Sequence, residues 1–325
     1  MKFNRKLLVI SSVAFLGSGC FEVENLAGIE PHRSPQKMDL REFDQREAEL
    51  QERLRTRFLE KGYVVSRKGE KPHFVGDSLL WTGIAMGVLD CEIAREIFEA
   101  VHASAKKRRG GLVRIEPLPR SYNVDPTSRD MEVGAIFGFA AYFLSCEDPE
   151  VVDLLTLHFD FIDQNHAALY PHGDPSKINI NPAFAYFLNE VAALFLGVPR
   201  PPAIDRSGFE VGVFSGASGI RSANAPCFPV HLTTMQLITL EILDHPISQS
   251  AGAAFCKATD TMGLPLTDWY CHRLDVKEYL HSYELDQYEY SHQRCSWEQD
   301  RLDGVETPGL DWIVLKRLAQ GLQRK

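Results

Sequence analysis

Two stretches of this chain are apolar enough to lie in a core, yet both carry glycine at helical spacing. "DSLLWTGIAMG" holds Gly83, Ala85 and Gly87, and "RDMEVGAIFGFAA" holds Gly134, Ala135, Gly138 and Ala140. A glycine inside a helix costs up to about 1 kcal/mol relative to alanine. Several in one apolar helix point to backbones that approach each other closely. Each stretch also carries an aspartate at its start, Asp77 first in one and Asp130 second in the other, as a degenerate repeat of one hairpin unit would.

The surrounding segments extend the helical pattern. "MDLREFDQREAELQERLRTRFLEKG" sets Leu40, Phe43, Leu50, Leu54 and Phe58 near one face, with Gly62 as the expected C-cap. "CEIAREIFEAVHASAKK", "DPEVVDLLTLHFDFIDQNHAALY", "PAFAYFLNEVAALFLG", "HLTTMQLITLEILD", "SQSAGAAFCKATD" and "GLDWIVLKRLAQGL" follow, mostly as hairpins. No series of Val/Ile-rich strands alternates with them, so the predicted class is all-α, helix packed on helix. Helical hairpins in this number commonly close into an α/α toroid, an inner ring wrapped by an outer one. The predicted organisation is an export signal over 1–19, a tether over 20–38 and a single toroid-like domain over 39–325. A domain break at 200–225 is the alternative.

The signal rests on Lys2, Arg5 and Lys6, then an apolar run from Leu7 to Leu16, then Gly17-Ser18-Gly19-Cys20. A run of about ten apolar residues suits export and is too short to span a bilayer. Small residues before Cys20 resemble the bacterial lipoprotein signal, although Gly17 stands where an aliphatic residue is usual. That resemblance implies lipidation at Cys20 and, because Phe21 follows rather than Asp, attachment at the outer membrane. Ordinary cleavage after Gly19 is the alternative. Six further cysteines permit up to three disulfides in an oxidising compartment, in pairings the sequence leaves open; burial as small apolar residues competes with that reading. The formal charge is −9, and loss of the three basic signal residues makes it −12. Such a balance argues against nucleic acid or a polyanionic surface as the main partner, while leaving room for a local basic pocket.

The letters Gly76-Asp77-Ser78-Leu79 name a class of serine esterases. In those enzymes the motif follows a buried apolar strand, whereas "RKGEKPHFV" precedes it here. "GVFSGASGI" also departs from the nucleophile elbow, with Ile220 in place of the last glycine. Ser78 is therefore expected to be structural, and Asp77 to stand at a helix N-terminus.

Asp77 and Asp130 head corresponding apolar helices, with Arg129 beside the second. Two carboxylates at neighbouring inner-helix starts are the catalytic candidates for acid/base work on a glycosidic bond. Helix N-termini favour anions, which suits a base or a cation-stabilising carboxylate. The competing reading makes Asp77 a cap and Thr127-x-x-Asp130 a capping box. Arg129, as a clamp on a substrate carboxylate, and His231, Tyr290, His292 and Trp297 are the substrate-binding candidates. In "QYEYSHQRCSWEQD", Tyr288, Tyr290, His292 and Arg294 alternate as an extended segment would present them on one side. Sealing one end of the ring is the competing role for that segment, and packing at a helix start is the competing role for His231. No HExxH or comparable spacing marks a metal site, so neither a metal nor a cofactor is expected.

"GDSLLWTG", "SRDMEVGAIFG" and the closing "ETPGLDWIVL" together resemble bacterial helical proteins similar in plan to the α/α-toroid glycoside hydrolases and polysaccharide lyases. The resemblance implies the fold over roughly residues 40–320 and acidic roles for Asp77 and Asp130. The resulting expectation is an envelope-associated enzyme acting on a polysaccharide or oligosaccharide, held to the membrane by its lipid anchor. The alternative is a non-catalytic envelope lipoprotein binding a glycan or a protein.

Overall fold

The computed structural model describes residues 41–73, 78–117, 127–165, 169, 182–197, 227–259, 265–273, 276–277, 280, 305–306 and 308–321. All lie in the larger of two compact units, Lys37–Lys325; the other unit is Met1–Gln36. The predicted signal, the tether and Cys20 lie outside the described residues.

Helices make up the bulk of the described chain: α1 (Asp44–Arg53), α2 (Ser78–Val88), α3 (Cys91–Lys107), α4 (Arg129–Cys146), α5 (Glu150–Gln164), α6 (Pro182–Leu196), α7 (Cys227–Ile242), α8 (Ile247–Thr259), α9 (Pro265–His272) and α10 (Leu310–Gln320). The class is all-α, with no helix of the described residues long and apolar enough to cross a membrane.

Among the described residues, five short strands depart from expectation. After a π-helical turn at Leu54–Phe58, β1 (Leu59–Glu60) pairs antiparallel with β2 (Tyr63–Val64). β3 (Ser66–Lys68) then lies between β4 (Lys71–His73) and β5 (Val305–Glu306), antiparallel to both. Gly62 is thus a hairpin residue rather than a helix C-cap. Lys61 and Gly62 have φ of 52° and 78°, the paired positive angles of a tight two-residue turn. The hairpin base is fastened to the first turns of α2. Ser78 Oγ donates to the Val64 carbonyl, and Thr82 Oγ1 accepts the Val64 N–H at 2.8 Å.

The core is organised by α2, which is buried along its whole length, and by Met131–Tyr142 of α4. Their glycines meet. A Cβ at Gly83 would overlap the Gly134 carbonyl, one at Gly134 would overlap the Leu80 carbonyl, and one at Gly138 that of Gly83. Gly87 faces the Phe137 ring and Gly138 in the same way. The contacts advance together along both helices, so α2 and α4 run parallel, backbone against backbone.

Further contacts align other helices with this pair. The start of α7 meets the start of α2 where the Trp81 and His231 rings lie 6.0 Å apart. The ends of α4, α6 and α7 share one apolar groove. α9 follows α7 in the same sense, with Thr234 Oγ1 at 2.9 Å from Thr267 Oγ1 and Arg273 paired with Glu241 further along. The last turn of α10 reaches the end of α2 through Arg317 and Asp90, 2.8 Å apart. Lys316, 1% exposed, is paired with the buried Glu47 and the exposed Asp44, so α1 is clamped to α10 by charge. α3 runs against this set: its first residue, Cys91, is disulfide-bonded to the last of α4, Cys146. A second disulfide joins Cys256 and Cys271.

Two predictions follow from this packing. Gly83→Ala and Gly138→Ala meet backbone rather than a movable side chain. Each is expected to lower the unfolding free energy by about 3 kcal/mol, and Gly87→Ala by less, as urea titration will show. Opening Cys91–Cys146, which closes a loop of 55 residues, is expected to remove about 4 kcal/mol. Comparison of thermal melts of the wild type and of Cys91→Ser/Cys146→Ser measures it.

Candidate functional site

Because α2, α4, α7, α9 and α10 run the same way, their N-terminal ends gather at one end of the unit. The joins at the opposite end are short: 89–90 after α2, 147–149 after α4 and 243–246 after α7. Those leading into α4, α6, α7 and α10 span 108–128, 165–181, 197–226 and 273–309. Long connections entering one end of a rigid scaffold are where binding and catalytic groups concentrate.

Arg129 and Asp130 form the first turn of α4 at this end and are half-buried. The capping box expected of Thr127 and Asp130 is not formed. Ser128 is the N-cap residue, its Oγ donates to Asp130 Oδ1, and Thr127 Oγ1 donates to Glu132 Oε1 at 3.2 Å instead. Arg129 has no ion pair among the described residues. His231 is brought to the same end but is buried, its ring tilted 41° against Trp81. Ser78 is buried with its hydroxyl given to Val64, which leaves no poised nucleophile there. Asp77, Tyr290, His292 and Trp297 lie outside the described residues.

Beneath Asp130 lies a pair that no motif spacing marks. Glu132 Oε2 on α4 and His158 Nε2 on α5 are 2.9 Å apart, and both side chains are almost fully removed from solvent. His158 Nδ1 is 2.9 Å from the Gly110 carbonyl. Burial by itself pulls the His158 pKa down; the adjacent Glu132 carboxylate and the Gly110 carbonyl more than reverse this and hold it above the ordinary value. One ring nitrogen of His158 thus faces a carboxylate as an ion pair and the other a backbone carbonyl. Its signal was present in the sequence. Val151, Leu154, Leu155, His158, Phe159 and Ile162 make one buried stripe of α5, and Glu132 interrupts an apolar helix that is buried on all sides. A charge in either place has to be paired.

At the opposite end, the ends of α4, α6 and α7 leave a groove of about 360 Å³ lined by Phe143, Leu144, Leu194, Phe195, Ile242 and Leu243, with Asp244 at its rim. Among the described residues no group of three or more His, Cys, Asp or Glu side chains is arranged to hold a metal ion. No family model, curated protein or solved structure matches the chain.

The raised pKa of His158 sets a pH dependence. Its stabilising contribution is complete below the unfolded value of about 6.5 and is lost as pH rises through the higher folded value. Unfolding free energies measured by urea titration from pH 6 upwards should therefore decline, with that component missing in His158→Asn. Glu132→Gln, which strands a buried cation, is expected to cost about 3–5 kcal/mol near pH 6.

Proposed function

We propose that the helices form an α/α toroid and that the chain is an envelope-associated, glycan-active enzyme. Its site is the end where the helix N-termini meet. The toroid reading is supported by a closed circuit of neighbours, α2 to α4 to α7 to α9 to α10 and back to α2. The observation that carries the functional reading is the half-buried Arg129–Asp130 turn at that end, one helix over from the start of α2, which Asp77 precedes in sequence.

In this reading Asp77 and Asp130 divide acid/base work on a glycosidic bond. One protonates the leaving oxygen, and the other activates water or stabilises the cationic sugar. Arg129 orients an anionic substituent bidentately. His231 and Trp81 form a packed floor beneath the sugar, and Tyr290, His292 and Trp297 complete the binding surface. Two disulfides in the described chain support an oxidising, extracytoplasmic setting, in keeping with an exported lipoprotein anchored through Cys20 at the outer membrane.

A second reading, a non-catalytic envelope lipoprotein that binds a glycan or a protein, is favoured by one observation: Asp130 accepts its hydrogen bond from Ser128 of its own turn. Incubating the purified chain with a panel of bacterial glycans separates the two. Turnover that falls at least about 100-fold in Asp77→Asn and in Asp130→Asn supports the enzyme. Retention of a glycan without turnover supports the binding protein, and turnover untouched by Asp130→Asn removes Asp130 from the mechanism.

A further inference from the structure

Resting on the glycan reading above, we infer that the glycan taken at this end is anionic. The β3–β4 hairpin recruits its acidic groups at the margin of the site.

The hairpin places like charges together. Lys68 on β3 and Lys71 on β4 are directly opposite in the strand register, an arrangement that destabilises a ladder unless an anion is shared between them. Both are exposed, and neither has an ion pair among the described residues. Beside them, the Arg67 guanidinium is held by carbonyls, those of Arg57 and of Glu70, the latter at 3.0 Å. Carbonyls fix its position without cancelling its charge. Glu70, the acid of the hairpin turn, stands 3.8 Å from Arg57, and Glu306 lies opposite Arg67 in register. From residue 53 to residue 73 the chain carries seven basic residues against two acids, within a chain of net charge −9. A lysine on a sheet edge also discourages strand pairing, which accounts for Lys71 on β4 but not for Lys68 on the central strand.

Position ties this charge to the site. β4 leads through 74–77 into the start of α2, and β5 leads through 307–309 into the start of α10, so the sheet flanks the end at which the helices begin. Ser78 and Thr82 fasten the neighbouring Val64 to the first turns of α2. Arg129 at the start of α4 supplies a further cation on that end. Cations on a narrow hairpin and on a half-buried turn beside carboxylates fit a strand of acidic sugars, whereas a bilayer calls for a broad basic plane. Their exposure makes the attraction sensitive to salt, because charges in water are screened within about 10 Å at 0.1 M.

The test measures equilibrium binding of the full chain to polygalacturonate, to neutral dextran and to phosphatidylglycerol vesicles, for wild type, Lys68→Glu/Lys71→Glu and Lys68→Ala/Lys71→Ala. Thermal melts confirm folding of each. The expected result is binding of polygalacturonate that weakens at least 10-fold in the charge reversal, less in the alanine pair, and again between 50 and 200 mM salt, with dextran and vesicles unbound. Equal binding of polygalacturonate and dextran, or an affinity indifferent to both double substitutions, overturns the anionic class and leaves the glycan site standing. Binding of vesicles alone, lost on charge reversal, overturns it in favour of a membrane. No binding of either polymer, together with no turnover in the glycan panel, removes the glycan reading itself.

Discussion

The contact between the backbones of α2 and α4 governs everything built around it. With glycine at 83, 134 and 138 there is no side chain to act as a spacer, and the separation of the two helices is set by carbonyl against Cα. Such close approach maximises dispersion contacts and permits Cα–H to carbonyl bonding. It also leaves one register open. Leu80 meets Gly134 and Gly87 meets Gly138, so the starts of the two helices are brought level. The turn bearing Arg129 and Asp130 is thereby placed beside the first turn of α2. The glycines' conformational cost is offset by burial along the whole of α2.

A second constraint fixes that turn from below. Glu132 is two residues past Asp130, and its carboxylate is shared between Thr127 in front of the helix and His158 on α5. His158 in turn holds the carbonyl of Gly110, whose φ of +106° and contact with Leu157 leave no room for a side chain. One buried ion pair therefore joins the start of α4, the middle of α5 and the join after α3. Desolvation opposes burying such a pair, and the close partner and the two further hydrogen bonds compensate it. The charge clamp of Lys316, Arg317, Glu47 and Asp90 does comparable work at the other end, tying the first and last described helices together.

Helices were legible along the sequence because their signal is local: apolar residues recurring at 3.6 and glycine inside apolar runs. The two hairpins between α1 and α2 were not. Tyr63, Val64 and Val65 are all buried, so they lack the alternation that marks a half-exposed strand, and β5 pairs with β3 from more than two hundred residues away. The capping arrangement at Thr127–Asp130 misled for a related reason. Three side chains compete for a few donors there, and the outcome depends on His158 across the helix interface. His158 itself was readable as a polar residue on an apolar stripe, but its partner could be found only by knowing which helix α5 faces.

By itself the sequence determined the helical class, the segments that are buried and the close approach of two glycine-bearing helices, because each follows from residue type and spacing within one element. Only the tertiary structure decided that these two helices run parallel, that several others run with them, and that their starts gather Asp130, Arg129 and His231 at one end. Direction and neighbourhood arise from contacts between residues far apart in the chain, and no local pattern encodes which distant backbone a glycine will meet.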